Sequence, residues 1–94
     1  MRKILIATFL AVLAMSASLP VSQANAQGNV CFRLWVARNT IYKANGYCFK
    51  TARAISYFGN AGCMYDYEGD VPMSPYDREQ VARIQAQERA IGCR

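Results

Sequence analysis

Four cysteines in a chain of 94 residues limit what this sequence can fold into more than any other feature. They are Cys31, Cys48, Cys63 and Cys93. An even number of cysteines in a short exported chain is typical of a disulfide framework. Zinc is the alternative, but the chain has no histidine and no Cys-x-x-Cys pair, and a cysteine nucleophile would lack a histidine partner. We therefore expect two disulfides, with no metal site, no cofactor and no cysteine catalysis.

The N-terminal residues have the organisation of a secretory signal peptide. Arg2 and Lys3 precede an apolar run at residues 4–13, and the small residues Ala24 and Ala26 suit signal peptidase. The apolar run is shorter than the about 20 residues that a membrane-spanning helix needs, although a retained anchor is the alternative. The sequence therefore predicts a signal peptide that ends before Gln27, and a protein located in the periplasm or outside the cell.

The part that follows the predicted cleavage site, residues 27–94, is long enough for one domain with a small core. Loss of Arg2 and Lys3 lowers the formal net charge from +5 to about +3. The chain has no run of basic residues, so nucleic acid is not an expected partner. We expect a monomer without a membrane span after signal cleavage.

A first helix is predicted from about Cys31 to Asn45. Asn29 is its candidate N-cap, and Asn45 with Gly46 supplies the residue types that adopt the left-handed conformation at a helix end. One face of this helix carries residues at the period of about 3.6 that an α-helix requires. These are Leu34, Trp35, Arg38, Ile41 and Tyr42. Arg38 thus stands in an apolar stripe, where its guanidinium needs a partner because an unpaired buried charge is costly.

A second, short helix is predicted at Ala52–Phe58, with Thr51 as its N-cap. Ile55 and Phe58 are expected to point inward. The segment Gly59–Met73 is rich in glycine and acidic residues, so we expect a long ordered loop that the third cysteine ties down, with at most a brief extended piece.

The last helix begins with the strongest start signal in the chain. Ser74 is the predicted N-cap, Pro75 stands at the first helical position, and Asp77 lies three residues after the cap. The helix is expected to run to about Ile91 and to end at Gly92. One face carries Val81, Ile84, Glu88 and Ile91.

Helix geometry excludes one of the three possible disulfide pairings. Cys31 and Cys48 flank a helix whose about 14 residues span about 21 Å, and a disulfide allows at most about 7 Å between Cα atoms. Pairing Cys48 with Cys93 would need parallel first and last helices, whereas Cys31–Cys93 with Cys48–Cys63 suits antiparallel ones. We choose the second pairing. The predicted fold is all-α: a small disulfide-stapled domain of two antiparallel helices, one short helix and a long ordered loop.

Antiparallel packing also predicts a partner for the arginine in the apolar stripe. Arg38 lies seven residues after Cys31, and Glu88 lies five residues before Cys93 on the inward face of the last helix. We therefore predict a partly desolvated ion pair between Arg38 and Glu88.

One family resemblance rests on a set of spaced residues, listed here in chain order. They are Leu34, Trp35, Arg38, Asn39, Ile41, Tyr42, Gly46, Tyr47 and Phe49. This pattern resembles the YARHG domain, whose Tyr-Ala-Arg-His-Gly motif follows an L-W-x-x-R-N-x-I pattern. The segment 42–46 here reads Tyr-Lys-Ala-Asn-Gly, so only the tyrosine and the glycine of the motif agree. The resemblance implies a small helical domain of the bacterial envelope and no established reaction.

Four residues are the candidate binding residues: Arg38, Asn39, Tyr65 and Tyr67. Arg38 and Asn39 form the most suggestive polar pair, although a structural ion pair would also explain the arginine. Tyr65 and Tyr67, with Tyr76 beside them, are loop aromatics whose faces could cover the apolar faces of a sugar. Trp35 and Tyr42 share the inward stripe and are assigned to the core.

The alternating acids of the loop, Asp66, Glu68 and Asp70, superficially resemble the start of a calcium loop. The spacing is wrong because an EF-hand needs glycine at its sixth position and glutamate at its twelfth, where this chain has Gly69 fourth and Asp77 twelfth. A solvated acidic loop is the better interpretation.

The sequence contains no nucleophile elbow, phosphate loop or paired histidines. We therefore expect a non-catalytic binding or interaction domain of the bacterial envelope, not an enzyme. Its partner is expected to be an envelope protein or a cell-wall glycan. The alternative is a protein inhibitor of a cell-wall hydrolase, in which the acidic loop would mimic or block a substrate.

Overall fold

The computed structural model describes residues 19–94, and Cys31–Arg94 forms one compact unit within them. These residues contain three α-helices, one turn of 3-10 helix and no β-strand. The elements are α1 (Leu19–Ala44), α2 (Ala52–Phe58), the 3-10 turn (Glu68–Asp70) and α3 (Pro75–Ala90). The predicted all-α class is therefore confirmed. Most of the predicted signal peptide, residues 1–18, lies outside the described residues.

Helix α1 begins at Leu19, not near Cys31 as the sequence predicted, and Asn29 lies inside the helix instead of capping it. The prediction was wrong because a capping residue type was taken as a helix start. Pro20 is tolerated in the first turn, and the alanines and glutamines that follow extend a helix readily once it has formed. In the described part of the chain, no helix combines the length and the apolar character needed to cross a membrane.

Helices α1 and α3 end in the same way. Gly46 and Gly92 have φ angles of +90° and +80°, which are left-handed conformations that favour glycine. The amide of the residue after each glycine donates to the carbonyl five residues earlier, at 3.1 Å in α1 and 2.8 Å in α3. This is the Schellman arrangement, and it turns the chain so that a cysteine follows directly, or after one residue, at each helix end.

Three side-chain links along residues 31–45 join this part of the chain to α3 and the turn that follows α3, and their order shows that the two helices run antiparallel as predicted. They are the disulfide Cys31–Cys93, the ion pair Arg38–Glu88 and a hydrogen bond from Asn45 to Asp77. The disulfide joins Cα atoms 5.5 Å apart, at the end of α3 that also carries the glycine turn. The pairing of all four cysteines is the one predicted for antiparallel helices.

The segment between α2 and α3 is held against the end of α1. The disulfide Cys48–Cys63 fixes it covalently. The amide of Cys48 donates to the carbonyl of Tyr65 at 2.8 Å. Asn60 then pairs with the backbone of Phe49: its Oδ1 accepts from the amide at 2.7 Å and its Nδ2 donates to the carbonyl at 3.0 Å. These bonds explain how a glycine-rich segment is ordered without a strand of its own.

The core is small, and its residues come from separate parts of the chain. Its buried members are Tyr42, Phe49, Ala54, Val71 and Val81. Phe58 packs against them as expected, whereas Ile55 is 42% exposed, which contradicts its predicted inward position. Helix α2 presents Ala54 and Phe58 to the core because residues four apart share a helix face, and this turns Ile55 toward solvent.

Candidate functional site

A cleft of about 190 Å³ opens between α1, the chain that follows it and the 3-10 turn. We call it the Trp35 cleft. Its wall includes the aromatic rings of Trp35 and Tyr47, and five polar or charged side chains. These polar residues are Arg38, Asn39, Lys50, Thr51 and Glu68.

Local structure explains why these residues meet. Trp35, Arg38 and Asn39 stand at i, i+3 and i+4 on α1, so they share one face of the helix. Thr51 is the N-cap of α2, where its hydroxyl accepts from the amide of Ala54 at 3.1 Å. Glu68 opens the 3-10 turn. Three separate segments of backbone therefore hold the polar rim around one indole.

Arg38 is held by a bidentate ion pair. Its Nε donates to Glu88 Oε1 at 2.9 Å and its second guanidinium nitrogen donates to Oε2 at 3.1 Å. The two side chains are 23% and 14% exposed, so the pair is largely shielded from water. This contact confirms the predicted ion pair. Asn39 is also buried, and its Nδ2 donates to the carbonyl of Trp35 at 2.9 Å.

The indole of Trp35 belongs to the surface as well as to the core. The Arg53 guanidinium carbon lies 4.0 Å from its ring centroid, a distance typical of a cation–π contact. Phe32 stacks on the same residue with ring centroids 6.0 Å apart, and Tyr57 meets it edge to face at 5.7 Å. Phe32 and Tyr57 are exposed. An aromatic surface with one cation therefore adjoins the Trp35 cleft.

Sequence reasoning missed this aromatic surface. Phe32 precedes Trp35 by three residues, so helix periodicity placed both on one side of α1 and could have revealed that neighbour. Arg53 and Tyr57 come from α2, and no local pattern indicates that they approach the indole.

A second cleft, also of about 190 Å³, lies between the 3-10 turn and α3, and we call it the Tyr42 cleft. Glu68 borders it as well as the Trp35 cleft, and Arg78 stands on its α3 side. Burial, and secondarily the Glu68 carboxylate, raises the pKa of the Tyr42 phenol above its ordinary value of 10.0, which further favours the neutral form. This cleft is thus lined by opposite charges and a neutral hydroxyl.

A third cleft, of about 350 Å³, lies beside the disulfide that joins α1 to α3. Three arginines border it, of which Arg38 is paired with Glu88, while Arg89 and Arg94 are exposed. The surroundings of the Arg38–Glu88 pair are therefore positively charged.

The family model of the YARHG domain matches residues 8–89 of the 94-residue chain. The chain belongs to the YARHG domain family. Comparison with curated proteins finds no match, and comparison with solved structures finds none. Domains of this family are small and extracytoplasmic, which agrees with the two disulfides of this chain.

The residues that carry the family pattern in this YARHG domain divide between the core and the Trp35 cleft. Tyr42 is buried in the core, and Gly46 forms the helix-ending turn. Five others line the Trp35 cleft: Trp35, Arg38, Asn39, Tyr47 and Phe49. The pattern therefore describes how α1 and the chain after it are built, and it also describes most of the wall of one cleft.

The four candidate binding residues are not gathered in one place. Arg38 and Asn39 line the Trp35 cleft, whereas Tyr65 and Tyr67 do not. The Tyr65 ring packs against the core and lies close to Gly46, where an added Cβ would meet it at 3.2 Å. Tyr67 is 72% exposed and lines neither the Trp35 cleft nor the Tyr42 cleft.

The acids of the loop are dispersed in this YARHG domain. Asp66 pairs with Lys50 at 3.2 Å on the exposed surface, and Glu68 borders the two smaller clefts. Among the described residues, no group of three or more acidic, histidine or cysteine side chains could hold a metal ion. Glu68 is therefore the loop acid that has a defined place in a candidate site.

Proposed function

We propose that this YARHG domain is a non-catalytic binding module of the bacterial envelope that holds a cell-wall saccharide in the Trp35 cleft. The supporting observation is the meeting of an indole with amide, hydroxyl, carboxylate and cationic side chains in one cleft. Aromatic rings cover the apolar faces of a sugar, while a few placed polar groups bond its hydroxyls. The exposed rings of Phe32 and Tyr57 extend the aromatic surface beyond the cleft.

The rigidity of the cleft supports a binding role. Arg38 is locked by two hydrogen bonds to Glu88, and Asn39 is buried and bonded to the backbone of α1. The disulfide Cys48–Cys63 holds the chain that follows α1. A site that is ordered before the ligand arrives loses less conformational entropy on binding.

The composition of the cleft argues against glycan hydrolysis. Most glycoside hydrolases place two carboxyl groups across the scissile bond, about 5 to 10 Å apart. Glu68 is the one carboxylate among the described residues that line the Trp35 cleft. A single carboxylate can accept hydrogen bonds from sugar hydroxyls, but it has no second acid to complete that chemistry.

The test uses glycan strands freed of their peptides and the intrinsic fluorescence of Trp35, the single tryptophan of the chain. Saturable quenching or enhancement by these strands is expected. Glu68→Gln should weaken the affinity about tenfold if the carboxylate accepts from a sugar hydroxyl. Asp70→Asn, in the same 3-10 turn but outside the cleft wall, is the matched control and should bind like the parent domain.

Two results would replace the proposal. The first is retention of a specific envelope protein on the immobilised domain together with no fluorescence response to glycan, which would make the partner a protein. The second is inhibition of a cell-wall hydrolase by the domain without any binding to glycan strands, which would make the domain an inhibitor. Equal responses of the Glu68→Gln and Asp70→Asn variants would contradict the location of the site.

A further inference from the structure

The Tyr42 cleft has an apolar floor with charged groups at its rim. Val71 and Val81 form part of the floor and are only 3% and 6% exposed, and Met73 lies beside them. Glu68 stands on the side of the 3-10 turn, and Arg78 stands on the side of α3. A ligand in this cleft would therefore meet aliphatic side chains below and two opposite charges above.

The two charges are available to a ligand because they do not neutralise each other. Among the described residues, neither Glu68 nor Arg78 takes part in an ion pair. Both nevertheless affect the pKa of the Tyr42 hydroxyl: the Glu68 carboxylate raises it, and the Arg78 guanidinium lowers it. Tyr42, Glu68 and Arg78 all line the same cleft, so the two charges border one small space.

We infer that the Tyr42 cleft binds a zwitterionic amino-acid group, with the carboxylate of the ligand on Arg78, its ammonium on Glu68 and its aliphatic stem against Val71 and Val81. A guanidinium bonds a carboxylate through two parallel N–H donors, and a carboxylate accepts readily from an ammonium group. A ligand with a single charge would leave one of the two rim groups without a partner. The cleft volume of about 190 Å³ limits the ligand to a small group.

Two sources in the envelope present this chemistry. One is a free aliphatic amino acid, and the other is a diamino-acid residue of a cell-wall peptide whose side chain ends in an ammonium and a carboxylate on one carbon. Both supply the same pair of charges beside a short aliphatic stem, so both would make the same contacts in the cleft. The experiment separates the two sources.

This inference goes beyond the proposed saccharide binding and uses a different cleft. Arg78 does not line the Trp35 cleft, so a variant at this position tests the Tyr42 cleft alone. Glu68 borders both clefts, so a Glu68 variant alone does not assign an effect to one of them. It is therefore tested with ligands in which either the carboxylate or the ammonium group is blocked.

The experiment measures binding by titration calorimetry and by chemical-shift changes at the methyl groups of the cleft. The probes are norleucine, free diaminopimelic acid, a peptide that contains this diamino acid, and two blocked ligands, norleucine amide and N-acetylnorleucine. Norleucine and diaminopimelic acid should bind, and each blocked ligand should bind about tenfold more weakly because one rim charge loses its partner. Binding of the peptide but not of norleucine would support the cell-wall source of the same group.

Two variants and one control complete the test. Arg78→Gln should weaken norleucine about tenfold but leave the amide unchanged, since the amide has no carboxylate. Glu68→Gln should weaken norleucine but leave N-acetylnorleucine unchanged. Arg83→Gln, on the same helix but outside the cleft wall, should bind like the parent domain.

Three results would overturn the inference. They are the absence of saturable binding for every probe, equal affinity for free and blocked norleucine, and equal weakening by Arg78→Gln and Arg83→Gln. Because glycan strands without peptides lack the zwitterionic group, Arg78→Gln should leave the Trp35 fluorescence response unchanged. The saccharide proposal can therefore fail while this inference stands, and the reverse is also true.

Discussion

Replacement of Glu88 by alanine should destabilise this domain more than the loss of any single exposed charged side chain. The Arg38–Glu88 pair is bidentate, with bonds of 2.9 and 3.1 Å. Breaking a buried pair costs about 3–5 kcal/mol, and an exposed pair contributes about 0.2–1 kcal/mol. The side chains are 23% and 14% exposed. We therefore expect Glu88→Ala to cost about 2 kcal/mol, between these limits.

The two single variants should not be equal. Glu88→Ala leaves the Arg38 guanidinium in a cleft that Arg89 and Arg94 also border, so the orphaned charge faces like charges. Arg38→Ala leaves the Glu88 carboxylate beside the same two arginines, which partly replace the lost partner. Arg38→Ala should therefore cost about 1 kcal/mol less than Glu88→Ala, although it also removes the packing of a longer side chain.

The double variant measures the interaction itself. Because the worst state is a half-buried charge without a partner, removal of both charges should cost less than the sum of the single losses, with a coupling of about 1–2 kcal/mol. The matched control is Glu79–Arg83 on α3, whose atoms are 3.9 Å apart and whose side chains are exposed. The coupling of that pair should be at most about 0.5 kcal/mol.

The assay is thermal and urea unfolding followed by far-UV circular dichroism, with the disulfides intact. For a domain of this size, about 2 kcal/mol corresponds to a Tm lower by about 8–16 °C. Additive effects of Arg38→Ala and Glu88→Ala, or a coupling no larger than that of Glu79 and Arg83, would refute the argument that shielding from water makes this pair strong.

Three further predictions follow from the crosslinks, the turns and the buried phenol. Replacement of Cys31 and Cys93 by serine removes a crosslink of sequence separation 62, so the free energy of unfolding should fall by about 4 kcal/mol. The Tm should fall by well over 10 °C. An unchanged Tm would contradict this prediction. Gly46→Ala should cost about 1–2 kcal/mol because φ is +90° and the new Cβ would meet a ring at 3.2 Å, whereas Gly69→Ala, with nothing within 4 Å, is the control. The folded-state pKa of Tyr42 is raised above 10.0, so the folded domain holds this proton more tightly than the unfolded chain. The free energy of unfolding should therefore fall as the pH rises above 10.0. Tyr42→Phe should reduce that fall when unfolding curves are measured at several pH values.

Residues close together in the sequence determined much of the helical framework. Ser74 and Pro75 marked the start of α3, because capping and a missing amide act within one turn of helix. Gly46 and Gly92 marked the two helix ends, because each turn needs a φ that other residues adopt at a cost. The rise per residue of a helix then converted sequence separation into distance, which excluded the Cys31–Cys48 pairing.

The Arg38–Glu88 contact was predictable for the same reason. Once antiparallel helices and the Cys31–Cys93 link were assumed, the helical rise placed both charged residues at similar heights and the helical period placed both on the inward face. The sequence predicts a contact between distant parts of the chain only where one link is known and regular helix geometry gives the positions of the residues around that link.

Only the tertiary structure decided where the segment between α2 and α3 packs and which clefts it borders. Asn60 bonds to the backbone of Phe49, and Glu68 comes to border two clefts, although no period or cap signals either event. Arg53 reaches Trp35 from another helix, and α1 extends far upstream of its expected start. Irregular backbone has no repeat that converts sequence position into spatial position, so contacts across it depend on the packing of the whole domain.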